Sequence, residues 1–399
     1  MWICRDLFNH LKQLRPQSVL PIKVLKGPRQ AGKTSLLDHL GSHRLILLDD
    51  LRTRMLAQEN PSLFFDQFPG PLILDEATLS PEVFPELKKT VDEQRRKNRS
   101  QDSPITLDVW ITGSNQTLLQ KSVQESLAGR ASFFQLNTLS IHELNRFNPD
   151  LVRLRTLLMK GGWPELYVNP SLSPVQYLND FISTFIAKDI VSAAGIEKKA
   201  AFSKTLQLAA GRIGQLLGFS DIAKVAGVDL TTIQSWLGLL EQNGILRLVQ
   251  PYFSNLNQRL IKSPKLYFED VGLCARLQGW TEFDPLFVSP YLGGLIENLA
   301  LIEMTRFFSN RGLSSEIFFL RSKEKVEIDF LIQLPNQQFI AAEVKTSPVD
   351  FTPAQLQLLE SLKLNIVERW ILSPQKSHDF AHARVIAFPD IFESLARFY

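Results

Sequence analysis

The sequence predicts an α/β protein: a parallel sheet between helix layers, then a helical segment, then a second and smaller α/β unit. Three observations predict it. Residues 1–145 alternate helical stretches with short runs that are apolar on both faces, the rhythm of a parallel sheet covered on both sides. A glycine-rich loop, Gly27–Thr34, directly follows the first of these runs. From about residue 290 a helix again returns to strands. The expected domains are therefore residues 1–145, 146–275 and 276–399, a division that suits a chain of 399 residues.

Composition narrows the function classes. Apolar residues make up 44% and charged residues 21%, an ordinary globular balance. Lys+Arg 44 against Asp+Glu 41 leaves +3, so contact with nucleic acid would need a local basic patch. Two cysteines, Cys4 and Cys274, build neither a zinc ribbon nor a disulfide framework and suit a reducing compartment. No run approaches the roughly 18 apolar residues of a spanning helix, and the first residues lack a signal-peptide core. The expected location is the cytoplasm, with no membrane partner.

The expected strands of the first unit are Val19–Leu25, Leu45–Leu48, Leu72–Leu74, Val109–Thr112 and Phe133–Leu136. Between the first strand and a helix over Ser35–Leu40 lies Gly27-Pro28-Arg29-Gln30-Ala31-Gly32-Lys33-Thr34, a full G-x4-G-K-[ST] match. In such a loop the backbone N–H groups turn inward around phosphates, and glycine stands where a Cβ would collide. Lys33 reaches the β- and γ-phosphates, the Thr34 hydroxyl ligates Mg2+, and Ser35 opens the helix whose positive end faces the anion. ATP and Mg2+ are the implied cofactors. The plain reading is an accidental glycine turn with a solvated lysine.

Leu72-Ile-Leu-Asp75-Glu76 argues against that plain reading, because an apolar strand ending in two acids is the expected partner of a phosphate loop. Asp75 is placed to hold the Mg2+ shell and Glu76 to orient a water for attack on the γ-phosphate. Val109–Ser114 is a third strand tip, whose Ser114 is a candidate γ-phosphate sensor. Arg130, just before the fifth strand, is open to two readings. It caps the preceding helix, or it reaches the γ-phosphate of a neighbouring subunit, which makes a homo-oligomer a consequence.

In the middle segment Ser220–Gly227 reads as a helix capped by Ser220 and ended by Gly227. Thr231–Asn243 is a second helix stopped at Gly244, and Ile245–Val249 is a strand. Helix, tight turn, helix, strand is winged-helix order. The second helix carries no Lys or Arg, which favours docking within the protein over reading a DNA groove. Arg247, Arg259, Lys262 and Lys265 are candidates for non-specific DNA contact. Arg95, Arg96, Lys97 and Arg99 beside the polar loop Ser100–Pro104 are weaker ones.

Farther along, Val326–Ile332 and Phe339–Lys345 read as two strands joined by a Pro335-Asn336 turn, with Ile317–Leu320 and Trp370–Leu372 as further strands. Alternation puts Glu343 and Lys345 on one face, and Asp329 opposite its apolar neighbours. If the hairpin aligns those faces, Asp329 and Glu343 form a hard-oxygen pocket for Mg2+, Lys345 orients the attacking water, and Glu297 on a helix over Leu295–Phe307 adds a carboxylate. This is the D…E-x-K pattern of metal-dependent phosphodiester hydrolysis. By itself it also describes an exposed ion pair on a hairpin. His378 and His382 have no third ligand nearby in sequence and are not expected to bind metal.

Taken in order, Gly-Pro-Arg-Gln-Ala-Gly-Lys-Thr (27–34), Leu-Asp-Asp (48–50), Asp-Glu (75–76), Thr-Gly-Ser (112–114), Leu-Ala-Gly-Arg (127–130) and Leu-Ser (139–140) lead a series. It continues with Gly-Gly-Trp-Pro-Glu (161–165), Lys-Asp-Ile (188–190), Lys-Leu-Tyr-Phe-Glu-Asp-Val-Gly-Leu (265–273) and Gly-Gly-Leu-Ile-Glu-Asn-Leu (293–299). The series resembles prokaryotic AAA-type P-loop ATPases with a C-terminal winged-helix plus restriction-endonuclease-like domain. The resemblance implies a P-loop NTPase sheet in which the strand ending at Ser114 lies between the phosphate-loop strand and the Asp75 strand. It also implies a C-terminal domain of restriction-endonuclease-like fold. Thr78 replaces a glutamine common after the acidic pair, and Lys188 replaces an arginine often found before Asp-Ile. Two readings follow: an Mg2+-dependent ATPase coupled to a nuclease-like domain acting on DNA, or a nucleotide-dependent switch for protein or DNA whose nuclease-like domain is inactive. An endonuclease that uses ATP for loading is a third.

Overall fold

The computed structural model describes residues 2–14, 20–98, 107–191, 194–252, 263–314 and 316–399. It divides the chain into two compact units, one of Cys4–Asn137 with Ser309–Gly312, the other of Met1–Ile3, Thr138–Phe308 and Leu313–Tyr399. The middle and C-terminal segments thus pack as a single unit.

The first unit is built on five parallel strands, β1 (Ile22–Lys26), β2 (Arg44–Leu47), β3 (Leu72–Asp75), β4 (Val109–Thr112) and β5 (Ala131–Gln135), in the order β2-β3-β4-β1-β5. β4 lies between β1 and β3, as the resemblance implied, with Leu74 against Ile111 and Ile111 against Val24. Ile22, Val24, Leu72, Leu74, Val109 and Ile111 are almost fully buried, as both-face apolar strands must be. β2 to β5 sit within two residues of their expected places and β1 starts at Ile22 where Val19 was expected, although Val19 and the loop Ser100–Pro104 fall outside the described residues. A helix over Asp6–Gln13, not expected from the sequence, buries Leu7, Phe8 and Leu11 at helical spacing.

The second unit begins with helices and then forms the expected helix–helix–strand module. The helices Phe219–Ala226 and Leu230–Gln242 lead into β6 (Leu246–Val249), which pairs antiparallel with β7 (Lys265–Phe268). Gly227 ends the first helix at φ 73°, and Asp229 caps the second by accepting the Thr232 amide. Ser220 is not the cap. Gly218 holds that position, and Ser220 lies inside the first turn.

A long helix, Leu292–Asn310, leads into a mixed sheet of β8 (Ile317–Arg321), β9 (Glu327–Gln333), β10 (Gln338–Val344), β11 (Asn365–Ser373) and β12 (Arg384–Ala387). β8, β9 and β10 are antiparallel neighbours, and β10, β11 and β12 run parallel. The β9–β10 turn is the expected one, with Asn336 at φ 57°. Apolar side chains cover both faces: Phe330, Ile340 and Trp370 in one cluster, Leu331, Ala341 and Ile371 in another. None of the described helices is long and apolar enough to cross a membrane.

Candidate functional site

The glycine-rich loop leaves the C-terminal end of β1 and enters the helix Lys33–Asp38. Its backbone turns through left-handed conformations at Gln30 (φ 62°) and Gly32 (φ 91°), the arrangement that turns successive amides toward one concavity. Gly27 has φ 152°, and a Cβ there would stand 2.1 Å from the Leu136 carbonyl oxygen. Only glycine fits that approach. Pro28 and Ala31 are buried, whereas Arg29, Gln30 and Ser35 are exposed.

Lys33 folds back into the loop, where its buried ammonium donates to the carbonyls of Gly27 and Pro28, each at 3.0 Å. Burial pushes its pKa down to about 8, against the opposing pull of Glu76 and Asp75. A buried ammonium that donates to neutral carbonyls suits an incoming polyanion. Across from it the Thr34 hydroxyl donates to Asp75 Oδ2 at 2.8 Å, and Thr112 donates to the other carboxylate oxygen. Thr34 and Asp75, expected from the sequence as Mg2+ ligands, are therefore in direct contact.

Glu76 takes a left-handed backbone (φ 54°) at the tip of β3. Its Oε2 accepts both the Ser114 amide and the Ser114 hydroxyl, each at 2.9 Å, while its own amide faces the Thr112 hydroxyl at 3.4 Å. Glu76, Ser114, Thr112, Asp75, Thr34 and Lys33 thus stand together at the C-terminal ends of β1, β3 and β4. A non-glycine residue in this backbone conformation is uncommon and belongs with functional constraint. Thr78 lies against Gly113, where a Cβ would be 3.2 Å from its Cγ2.

Arg130 is placed elsewhere. It precedes β5, at the opposite end of the parallel strands from the loop, and its carbonyl accepts the Ile22 amide. Its guanidinium clasps the Asp92 carboxylate with two bonds of 2.8 Å and also donates to Ala128 O. The structure does not bring Arg130 to the phosphate loop of its own chain.

The second cluster gathers Glu297, Asp329, Glu343 and Lys345. Asp329 and Glu343 face each other across β9 and β10: the Asp329 amide donates to Glu343 Oε1 at 3.2 Å, and the Val344 amide to Asp329 Oδ2 at 2.8 Å. Lys345 donates to Glu343 Oε2 at 2.6 Å, so the two share a face as alternation requires. Glu297 is held by a lysine and a tyrosine from β7. Lys265 lies 3.0 Å from Glu297 Oε1 and 2.5 Å from Glu327 Oε1, and Tyr267 donates to the same Glu297 oxygen.

Burial raises the Glu297 pKa to about 7, with Asp329 adding to the effect and Lys265 opposing it. Glu343 is raised by burial and by Asp329, against Lys345. Burial works against the Lys265 and Lys345 charges, yet the surrounding carboxylates hold both above the ordinary lysine value. Among the described residues no group of three or more His, Cys, Asp or Glu is arranged to hold a metal ion. Glu297, Asp329 and Glu343 share one electrostatic neighbourhood, with their oxygens engaged by lysines, a tyrosine and backbone amides.

Lys265 is the clearest departure from expectation. It is 1% exposed and serves two carboxylates, so it is not a surface cation for DNA. Arg247 pairs with Glu269, Arg95 donates to Gly129 O, and Arg259, Lys262 and Arg99 fall outside the described residues. Sequence reasoning did not assign the contacts made by Thr112, Lys265, Tyr267 and Glu327. A threonine ending β4 and a lysine opening β7 give no signal in the linear pattern.

Residues 20–145 match the family described as AAA domain. Residues 151–284 and 292–389 match two families, each described as a domain of unknown function. An uncharacterized protein of Mycobacterium tuberculosis is 26% identical over 347 residues, 86% of this chain and 75% of its own length. An uncharacterized protein of Haemophilus influenzae is 26% identical over 351 residues, 81% of this chain and 82% of its own. Among solved structures, the Walker-type ATPase PABY2304 of Pyrococcus abyssi aligns at TM-score 0.43 and 16% identity, covering 68% of this chain and 95% of that one. The Aeropyrum pernix ORC2 protein aligns at TM-score 0.33 and 10% identity, covering 68% and 91%. The N-terminal segment, residues 20–145, thus matches the AAA domain family and carries the five-stranded parallel sheet of a P-loop fold.

Proposed function

We propose that the protein binds ATP with Mg2+ and hydrolyses it, and that this chemistry drives a C-terminal domain of restriction-endonuclease-like fold. The observation that carries the first part is the meeting of Lys33, Thr34, Asp75 and Glu76 at one end of the sheet, with Glu76 held by Ser114. Backbone amides at the start of the helix Lys33–Asp38 and the Lys33 ammonium grip the phosphates. Thr34 and Asp75 would hold Mg2+, which would supply charge neutralisation to the phosphates. The two Ser114 bonds occupy Glu76 Oε2 and leave Oε1 to accept a proton of the attacking water. Ser114 in this reading acts through Glu76, and an Arg130 contribution comes only from a neighbouring subunit.

For the C-terminal domain, the order β8–β12 and the Asp329/Glu343/Lys345 grouping support the nuclease-like fold. The donor set does not fit a divalent ion as it stands, because Glu297 is bound to Lys265 and Tyr267 and Glu343 to Lys345. That observation favours the second reading, a nucleotide-dependent switch whose nuclease-like domain does not cut. The experiment pairs ATP turnover with nicking of single- and double-stranded DNA in Mg2+ or Mn2+, for wild type, Lys33→Ala, Glu76→Gln and Asp329→Ala. Turnover lost in the first two variants supports the ATPase. Nicking lost in Asp329→Ala establishes a nuclease, and turnover without nicking establishes the switch.

A further inference from the structure

The buried carbonyls of a phosphate-binding loop need donors. One of them belongs to Ala31, which is fully buried. Its partner is Arg5, whose Nη1 donates to Ala31 O at 2.9 Å. Through Nη2 the same guanidinium donates to Asn137 O at 2.6 Å. Arg5 is 3% exposed, and it stands before the helix Asp6–Gln13 without capping it, because a guanidinium has no acceptor for the helix's first N–H groups.

The second carbonyl matters as much as the first. Asn137 directly follows Leu136, whose carbonyl packs where a Cβ on Gly27 would be and whose amide donates to Lys26 O. The loop is therefore fixed at two points: Gly27 against Leu136, and Ala31 tied through one planar cation to Asn137. A guanidinium suits this bridge, since its rigid fork serves two acceptors at once and a charged donor forms the stronger bonds.

We infer that Arg5 is a positioning residue for the phosphate-binding loop, bracing Ala31 against Asn137 so that the loop Gly27–Thr34 keeps the conformation that receives the nucleotide. It touches no reacting atom. The inference rests on the nucleotide-binding reading for its ligand, but the order of the loop itself can be read without any ligand.

The test compares wild type, Arg5→Lys and Arg5→Ala in the full chain, by amide hydrogen exchange without nucleotide and by titration with ADP and a non-hydrolysable ATP analogue. Peptides covering residues 27–36 of Arg5→Ala are expected to exchange about tenfold faster, while β3 and β4 keep their protection. Affinity is expected to fall about tenfold or more in Arg5→Ala and by a smaller factor in Arg5→Lys, which keeps the charge and loses the fork. Unchanged exchange over 27–36, an equal loss across the whole sheet, or full restoration by Arg5→Lys would overturn it. Selective loosening of the loop in a chain that binds no nucleotide would uphold Arg5's role and sink only the ATPase reading.

Discussion

Ser114 holds Glu76 by a single carboxylate oxygen, to which both its amide and its hydroxyl donate at 2.9 Å. The two residues end adjacent strands, β4 and β3, so the sheet itself sets their separation.

This pairing makes Glu76 and Ser114 unequal in mutation. Glu76→Gln is expected to keep nucleotide affinity and to lose about 10²–10⁴ in kcat, the range of a general base. Ser114→Ala keeps the amide bond and loses the hydroxyl bond, so kcat falls by about tenfold. Steady-state turnover beside equilibrium nucleotide titration separates the two. A Ser114→Ala loss confined to affinity would mean that Ser114 meets phosphate instead of Glu76.

Gly27 admits no side chain. Gly27→Ala forces a Cβ to within 2.1 Å of the Leu136 carbonyl oxygen, from a backbone φ of 152°. The strained backbone alone costs about 1–3 kcal/mol, and the clash adds to it. Nucleotide titration and thermal unfolding should show weakened binding and a lower Tm. Gly32→Ala is the control, because a Cβ there meets nothing within 4 Å, although φ 91° still strains it.

Lys33 gives a pH dependence with a definite sign. Its pKa is pushed down to about 8 by burial, so its charge is lost as pH rises through about 8. Between that value and the ordinary lysine range the unfolded chain binds more protons at this residue. Its burial therefore costs stability most below pH 8, and the cost is relieved as pH rises. A bound polyanion restores the ammonium, so nucleotide binding at pH 8.5–9 is expected to take up protons. Calorimetric titration in buffers of different ionisation enthalpy measures that uptake, and Lys33→Arg should abolish it.

Lys265 tests the second cluster. Lys265→Met leaves Glu297 and Glu327 without their buried cation, a change worth about 3 kcal/mol of destabilisation. Adding Glu297→Gln should return part of that loss, since the uncompensated charge goes with it. Denaturant unfolding of single and double variants measures the coupling. Strictly additive losses would mean that the two residues do not interact.

The legible part of the molecule was whatever local pattern determines. Both-face apolar runs located β1 to β5, and G-x4-G-K-[ST] with Asp75-Glu76 located the first site, because those spacings follow from one strand and one turn. Alternation alone placed Glu343 beside Lys345. Illegible were the groups whose partners come from distant segments. Arg5 reads as a surface residue until it meets the carbonyl of Asn137, 132 positions away. Lys265 reads as a solvated cation until the helix Leu292–Asn310 brings Glu297 to it. β7 and β12 were not among the expected strands.

The most direct measurement is equilibrium binding of ATP with Mg2+ to the purified full chain, wild type beside Lys33→Ala. The account predicts saturable binding at one site per chain by wild type, and loss of at least about 2 kcal/mol of binding free energy when the ammonium is removed. A folded wild-type chain that binds no nucleoside triphosphate, or a Lys33→Ala chain that binds as well as wild type, would contradict it.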